Sequence, residues 1–335
     1  MTATLRDVAR EAGVSIRTVS RVVNNKAEIA AETRQRVLAV IHRLQYRPNV
    51  LARSLVSGKT RSVAVVIPQI TDPFYPEFVQ GVESVVRQDD YHVFLSNTDE
   101  DPIQEYKTLE ALAGKQVEGV ILCGTRMSDE QLLQANQLHR LVVVTSRPPA
   151  GLSTVNVQEE AGLATITSHL IQLGHRHIGH IARVQHGRAA RRDGYRSALQ
   201  AHGLSTPDSY IEHISGAYIE SGYSALQRLL EREPQLTAIT CYNDLVAIGA
   251  LQACAALGRA VPGDIAVVGF DDIQLASLVQ PALTTMHVPR FRLGQMATEQ
   301  LMALLHGNAN GISAGDQIGQ LATELIIRAS CGGSQ

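Results

Sequence analysis

The sequence is poor in the features that mark secreted, membrane-spanning and metal-binding proteins. Its four cysteines, Cys123, Cys241, Cys254 and Cys331, are scattered along 335 residues without a CxxC pair. This scatter indicates reduced thiols rather than a disulfide framework or a zinc site. The sequence contains no run of about 18 apolar residues, as a transmembrane helix needs, and its N-terminus lacks the pattern of a signal peptide. We therefore expect a cytoplasmic protein with no membrane partner.

The sequence also lacks the motifs that indicate an enzyme. It contains no nucleophile elbow, no GxGxxG after a strand pattern and no metal-ligand spacing. Residues 58–60 resemble the end of a phosphate-binding loop, but Arg53 replaces the required glycine and a strand pattern follows. The histidines between positions 175 and 180 have no neighbouring cysteine or carboxylate to complete a zinc site. We expect no catalytic residue, no cofactor and no metal.

Charge is distributed unevenly along the chain. The whole sequence has a net charge of −2, but residues 1–61 contain 12 Lys or Arg against 4 Asp or Glu. This first segment therefore carries +8 and the remainder −10. Such asymmetry indicates a polyanion as the partner of the N-terminal segment.

The N-terminal segment has the pattern of three short helices. Residues 5–12 predict a helix with one apolar face, and Gly13 can adopt the left-handed conformation that ends it. Ser15 can then cap a second helix over 16–23, and a third over 30–45 can close a small core. The side chains expected in this core are Leu5, Val8, Ala9, Ala12, Val19, Val22, Val23, Val37, Leu38, Ile41 and Leu44.

The outward side of the second helix suits contacts with DNA. In a helix-turn-helix, the second helix lies in the major groove with its N-terminal residues at the base edges. Arg17 and Arg21 share one face and can pair with guanine, whereas Ile16 can pack against a thymine methyl group. The alternative is an amphipathic hairpin with no ligand, but the third helix and the positive charge favour DNA. The candidate DNA-contacting residues here are Ser15, Ile16, Arg17, Thr18, Ser20, Arg21 and Asn24.

From residue 62 onward, apolar runs alternate with helical patterns. The runs SVAVVIP, YHVFLSN, EGVILCG and LVVVTS form a first set of predicted strands, and HIGHIA, AITCY and IAVVGF form a second. This alternation is typical of parallel sheets covered on both faces by helices. Ligands bind such sheets at the carboxyl ends of their strands, so two sets should enclose a cleft.

These segments resemble the LacI/GalR family of transcription regulators over nearly the whole chain. The resemblance rests on LRDVAREAGVSIRTVSRVVN, TRQRVLAVIHRLQYRPN, PNVLARSL, VIPQITDPFY, LGHRHIG, RRDGYRSAL, YNDLVAIGAL, VVGFDD and PALTTMHVPRFRLGQMA. It implies an all-α helix-turn-helix head followed by an α/β periplasmic-binding-protein-like core of two doubly wound parallel-sheet subdomains. The last helix, about 292–305, should return to the first subdomain.

The resemblance and the patterns together divide the chain into three parts. The expected divisions are a DNA-binding domain over 1–46, a hinge helix and linker over 47–61, and an effector-binding and dimerisation core over 62–335. Within the core, the first subdomain should comprise about 62–160 plus 289–318, and the second about 161–288 plus 319–330.

The segment between head and core has the pattern of a short helix. Pro48 prevents the third helix from continuing, and Asn49 can cap a new helix that ends near Leu55. So short a helix is marginal alone, so we expect it to order on DNA. The alternative is a flexible linker. By resemblance Leu55 would enter the minor groove, and the candidate contacts are Asn49, Ala52, Arg53 and Leu55.

Polar and aromatic side chains follow the predicted strands and form a candidate effector site. By resemblance, Arg191 and Asp271 bind hydroxyl or carboxyl groups, Asn243 assists, and Phe74 or Tyr75 stacks. Alternatively, Asn243 and Asp271 cap helices and Phe74 belongs to the core; for Asp244 and Asp272 we favour capping. The candidates are Asp72, Phe74, Tyr75, Ser146, Arg147, Arg191, Asn243 and Asp271.

Two departures from the family's usual pattern bear on the effector. Ser146 and Arg147 stand where many members carry an acidic residue, and Cys123 or Gly124 replaces a polar contact. Basic side chains also cluster near the expected cleft entrance: His186, Arg188, Arg191 and Arg192. Guanidinium groups suit carboxylate or phosphate, so the effector could be a sugar, a sugar acid or a sugar phosphate. The alternative is that Arg188 and Arg192 are solvated.

We therefore predict a ligand-responsive repressor of carbohydrate or sugar-acid metabolism genes. A small polar effector would release it from a palindromic operator, and it would be associated with the nucleoid. The alternatives are a corepressor-dependent regulator and a non-enzymatic sugar-binding protein. The C-terminal residues show no heptads, which favours a homodimer over a coiled-coil tetramer.

Overall fold

The computed structural model describes residues 3–23, 29–46, 59–146, 149–184, 189–307 and 318–333. The chain divides into two compact units, residues 1–60 and 61–335. Among the described residues, no helix is both long and apolar enough to cross a membrane. The following sequence-based candidates lie outside the described residues: Asn24, Asn49, Ala52, Arg53, Leu55, Arg147, His186 and Arg188.

The described part of the first unit contains the predicted helices α1 (Leu5–Ala12), α2 (Ile16–Val23) and α3 (Ala31–Arg43). Gly13 has φ 62°, the left-handed conformation predicted for the end of α1. The Ser15 hydroxyl accepts a hydrogen bond from the Thr18 amide at 3.1 Å, so it caps α2 as expected. Residues 13–15 therefore determine the tight turn between these helices.

The core of this unit confirms the prediction except on α3. Its buried members are Val8, Ala9, Ala12, Val19, Val22, Val37 and Val40. The prediction for Leu38 is wrong, because this side chain is 49% exposed. Val40 takes its place, since positions 37, 40, 41 and 44 share one helical face and position 38 is rotated away from it.

The second unit begins with a six-stranded, fully parallel sheet. Its order is β11-β5-β4-β3-β1-β2. The strands are β1 (Ser62–Ile67), β2 (His92–Asn97), β3 (Gly119–Cys123), β4 (Arg140–Thr145), β5 (Ser153–Val157) and β11 (Ile318–Leu321). The helices of this subdomain are α4 (Phe74–Val86), α5 (Pro102–Gly114), α6 (Asp129–Leu138) and α12 (Arg290–Leu305).

A four-stranded parallel sheet forms the second subdomain, in the order β7-β6-β8-β9. The strands are β6 (Ile178–Arg183), β7 (Ile211–Ile214), β8 (Ala238–Cys241) and β9 (Ala266–Val268). The helices are α7 (Glu159–Gln172), α8 (Ala190–Ala201), α9 (Ile219–Arg232), α10 (Asp244–Ala256) and α11 (Gln274–Leu278). An antiparallel pair, β10 (Thr285–His287) and β12 (Glu324–Ile326), completes it. The patterns did not predict β5 or β7, which are short and contain polar residues.

In the described part of the second unit, the chain passes between the subdomains after β5, before α12 and after β11. Helix α12 returns to the first subdomain as predicted, because Gly294 lets it lie directly against α4. A Cβ at this position would stand 2.1 Å from the Phe78 carbonyl oxygen. The boundary between the two subdomains was expected at residues 318/319. Strand β11 instead pairs with β5 as far as Leu321, so this part of the first subdomain extends beyond the expected boundary.

Candidate functional site

A cavity of about 400 Å³ in the second unit is lined by residues of both subdomains. Most of these residues follow the carboxyl ends of the parallel strands, where the sheet pattern predicted a cleft. Every described effector candidate lines this cavity: Asp72, Phe74, Tyr75, Ser146, Arg191, Asn243 and Asp271. The cleft therefore brings together residues that are up to 199 positions apart in sequence.

Arg191 is the most heavily paired side chain of the cleft. It lies on α8, and its guanidinium group donates to a Glu159 carboxylate oxygen at 2.7 Å and to Asp271 Oδ1 at 3.1 Å. A third hydrogen bond goes to the Tyr242 carbonyl. The guanidinium carbon lies 4.1 Å from the centroid of the Phe270 ring and 4.6 Å from that of Tyr242. The group is thus held between two aromatic faces and two carboxylates.

Asp271 is buried and has a strained backbone. Its φ is 106°, a region that a non-glycine residue rarely adopts. Arg290, at the start of α12 in the other subdomain, donates to the Asp271 carbonyl and also bonds Glu77. Burial raises the pKa of Asp271 to about 7, against the opposing effect of Arg191. Arg290 thus holds the strained backbone from across the subdomain junction.

The helix-capping hypothesis is correct for Asn243 and wrong for Asp244, Asp271 and Asp272. Asn243 lines the cleft and also caps α10, because its side-chain oxygen accepts from the Val246 amide at 3.0 Å. The Asp271 carboxylate accepts from Arg191 instead. Asp244 accepts from the Ile273 amide, beyond the carboxyl end of β9, and from the Thr285 hydroxyl on β10. Asp272 accepts from Arg328 at 2.7 Å rather than capping a helix. Both carboxylates therefore stabilise the loop that carries Asp271.

The aromatic wall of the cleft comes from the start of α4. Tyr75 is buried and Phe74 is half-buried, with their ring centroids 5.3 Å apart in an edge-on arrangement. Gly124 has φ 76°, and a Cβ there would stand 2.7 Å from the Tyr75 hydroxyl oxygen. Because glycine has no side chain, the Tyr75 hydroxyl can approach the carboxyl end of β3 at this position. Phe74 both packs against the core and lines the cavity, so its two interpretations are compatible.

The sequence did not predict four further charged residues that line the cleft: Glu159, which pairs with Arg191, and Glu100, Arg126 and Arg183. Glu100 accepts a hydrogen bond from Arg183, which lies at the end of β6 in the second subdomain. Arg126, from the first subdomain, lies 3.5 Å from the other oxygen of Glu100. Arg126 and Arg183 follow or end predicted strands, so the strand-end rule could have found them. Glu100 stands three residues beyond β2, and no local pattern identifies it.

The basic cluster predicted at the cleft entrance is reduced to one member among the described residues. Arg191 lines the cavity, whereas Arg192 does not. The Arg192 guanidinium lies 3.5 Å from the carboxylate of its neighbour Asp193, and its side chain is 35% exposed. This placement agrees with the alternative that Arg192 is solvated.

The first unit presents the N-terminal end of α2 at its surface. Ser15, Ile16 and Arg17 are exposed, and the Ile16 side chain is 44% exposed although it is apolar. The remaining described candidates on this helix, Thr18, Ser20 and Arg21, are partly exposed. An exposed apolar residue beside arginine at the start of the second helix matches the geometry of major-groove recognition.

Comparison with known proteins finds a matching protein family for a segment of each unit. Residues 4–49 match the model of bacterial regulatory proteins of the lacI family, and residues 167–331 match a periplasmic binding protein-like domain. Catabolite control protein A of Priestia megaterium is 34% identical over 98% of this chain and 99% of its own length.

Two solved structures are similar over nearly the full length. A Lac repressor dimer bound to operator and the anti-inducer ONPF has a TM-score of 0.89 at 26% identity, covering 99% of each chain. The transcriptional regulator CelR in its cellobiose complex has a TM-score of 0.74 at 30% identity, covering 98% of this chain and 99% of its own. The chain belongs to the LacI family of transcription regulators, proteins that bind operator DNA and small effectors and are not enzymes.

Proposed function

We propose that this regulator is a repressor of carbohydrate-metabolism genes that a small polar effector releases from a palindromic operator. The observation that carries this proposal is the polar cleft at the strand ends of the core, in a chain whose head has an exposed recognition helix. The proposed place of action is the cytoplasm, at the nucleoid, where operator DNA lies.

The head supports sequence-specific binding through α2. Arg17 stands in its first turn and is exposed, so its guanidinium group is available to a guanine edge. Arg21 lies on the same face and is proposed to contact a base edge as well, whereas Ser15, Thr18 and Ser20 suit phosphate and sugar contacts. The charge of +8 over residues 1–61 supplies the sequence-independent part of the affinity. Asn24 and the hinge residues Asn49, Ala52, Arg53 and Leu55 are proposed to complete the contact.

The cleft supports a polar ligand of sugar size. Its volume of about 400 Å³ falls within the usual range for small-molecule sites, roughly 300–1,000 Å³. Asp72 and Asn243 offer an acceptor and a donor for hydroxyl groups, and Phe74 offers an aromatic face for the ring. The cellobiose complex of the similar regulator CelR supports a sugar as the effector class.

Control of DNA binding is proposed to follow from closure of the two subdomains on the effector. Residues from both sides line the cleft, so a ligand that contacts both favours one relative orientation. In a dimer, that orientation would set the separation of two heads and hence the fit to two half-sites. The reciprocal prediction is that operator DNA changes the affinity for effector by the same factor.

A homodimer is supported by apolar surface on the core. Strand β2 is an edge strand of the six-stranded sheet, and its Phe94 and Leu95 are 48% and 42% exposed. In the second subdomain, Leu278 is 65% exposed. Apolar residues of this size on the open edge of a sheet favour burial against a second copy.

The test is a mobility-shift assay with the DNA that flanks the coding region of this protein. We expect a specific complex at moderate salt that competitor DNA of unrelated sequence does not displace. Addition of the effector, found by a thermal-shift screen of sugars, should weaken that complex. The absence of any complex at low salt would refute the regulator function, and an effector that strengthens the complex would make it a corepressor.

A further inference from the structure

Each guanidinium group that lines the cleft, among the described residues, is already paired with a carboxylate of the same chain. Arg191 bonds Glu159 and Asp271, and its third hydrogen bond goes to a backbone carbonyl. Arg183 bonds Glu100 and also donates to the Ser215 carbonyl at 3.3 Å. Two of the three guanidinium groups that would suit an acidic ligand are therefore hydrogen-bonded within the protein.

Glu100 is the carboxylate on which two of these arginines converge. Arg183 contacts Glu100 from the second subdomain, whereas Arg126 belongs to the first subdomain, as Glu100 does. The three side chains are 16%, 5% and 19% exposed, in the order Glu100, Arg183 and Arg126. Water therefore screens their interactions only partly. Glu100 itself is held in the left-handed conformation, with φ 63°, and its amide bonds the Pro68 carbonyl.

The described lining of the cleft has more carboxyl groups than guanidinium groups. It contains the carboxylates of Asp72, Glu100, Glu159 and Asp271 against three guanidinium groups. Asp72 forms no ion pair within the described residues; its carboxylate accepts a hydrogen bond from the Phe74 amide at 2.9 Å. An added carboxylate or phosphate would be repelled by Asp72 in this shielded space, and within the described lining each guanidinium group already faces a carboxylate. A hydroxyl group can instead donate to Asp72 and accept from Asn243.

We infer that Glu100 is the specificity-determining residue of the cleft, whose carboxylate pairs with both Arg126 and Arg183 and weakens their attraction for an anion, so that an uncharged, hydroxyl-rich effector is selected over sugar acids and sugar phosphates. This inference rests on the proposed function, because it assumes that the effector binds in this cleft. The sequence left three effector classes open: sugars, sugar acids and sugar phosphates. The inference selects the uncharged sugars.

The test uses inorganic phosphate as the probe and the full chain as the protein. Calorimetric titrations at constant ionic strength compare the wild type with Glu100→Gln, which keeps the shape of the side chain and removes its charge. The variant frees two guanidinium groups from opposite walls, so it should bind phosphate at least about tenfold more tightly than the wild type. Phosphate bound by the basic head contributes equally to both proteins and cancels in the comparison.

The matched control is the double variant Glu100→Gln/Arg183→Met. It lacks one of the two freed guanidinium groups and should lose most of the gain in phosphate affinity. Glu100→Asn repeats the measurement with a second uncharged side chain, one that tolerates the left-handed backbone at this position. Circular dichroism confirms that each protein is folded. Equal phosphate affinity in the wild type and in both Glu100 variants would overturn the inference, as would a gain that persists in the double variant.

A thermal-shift panel supplies the second readout on the wild type. It pairs glucose and galactose with their uronic acids and 6-phosphates, and it includes cellobiose. A larger stabilisation by an acid or phosphate than by its parent sugar would overturn the role of Glu100 while leaving operator binding intact. Loss of operator binding in the mobility-shift assay would refute the proposed function and leave the phosphate result standing.

Discussion

Replacement of Arg191 by methionine tests whether its guanidinium compensates buried carboxylates. Methionine retains an unbranched apolar chain between the Phe270 and Tyr242 rings, so the packing is largely preserved. The variant leaves Asp271 and Glu159 without the cation that lies 3.1 Å and 2.7 Å from them. Removal of one partner of a buried ion pair typically costs about 3–5 kcal/mol.

The expected loss is at the lower end of that range. The Glu159 side chain is 21% exposed and keeps some hydration. The pKa of Asp271 is already raised to about 7 by burial, so this carboxyl can take up a proton when its cation is removed. We expect the free energy of unfolding to fall by about 3 kcal/mol at pH 8. For a domain of this size, the melting temperature should then fall by roughly 6–10 °C.

The pH dependence distinguishes this mechanism from a simple loss of contacts. Loss of Arg191 raises the folded-state pKa of Asp271 further above its unfolded value. Stability from a raised carboxyl pKa is present at low pH and is lost as the pH rises. The difference between variant and wild type should therefore shrink to about 1 kcal/mol at pH 5 and widen toward pH 8.

The assay is thermal or urea unfolding at pH 5 and pH 8, with Arg196→Met as the matched control. Arg196 lies on the same helix and pairs with Asp208, but these side chains are 42% and 91% exposed. Its replacement should cost less than about 0.5 kcal/mol at either pH. An equal, small loss for Arg191→Met at both pH values would refute the compensation of buried charge.

Three further predictions concern the head, the helix packing and the titration of the cleft. Arg17→Ala should relax base preference in operator selection while nonspecific affinity changes little; an unchanged operator logo would remove Arg17 from base readout. Gly294→Ala should destabilise the core by about 1–3 kcal/mol in urea unfolding, because its Cβ would meet the Phe78 carbonyl at 2.1 Å, whereas Gly114→Ala, with open space around it, should be neutral or stabilising. Asp271→Asn should remove the fall in unfolding free energy that a folded pKa of about 7 produces between about pH 4 and pH 7, and an unchanged slope in urea titrations would assign it to another group.

Local patterns were sufficient for most of the helices and strands and for most strand-end residues, although not for β5 and β7. Gly13 and Ser15 are the cap and the turn that the sequence indicated, because their roles depend only on neighbours a few positions away. Asp72, Arg191 and Asp271 line the cleft, since parallel strands place their carboxyl ends at a common edge. Leu38 was assigned to the core wrongly in place of Val40, because an apolar residue at a neighbouring helical position was taken as part of the buried face.

Only the tertiary structure decided which charged side chains form pairs. The pairing of Glu100 with Arg183 joins residues 83 positions apart on different subdomains, and no local rule connects them. Asp244 similarly appeared to be a helix cap until the fold placed Thr285 and the Ile273 amide beside it. The sequence by itself determined a helix-turn-helix head and a core of parallel sheets with a cleft at the strand ends, because these elements follow from periodicity and turn chemistry. The charge that the cleft presents to its effector depends on long-range pairing, which exists only in the folded chain.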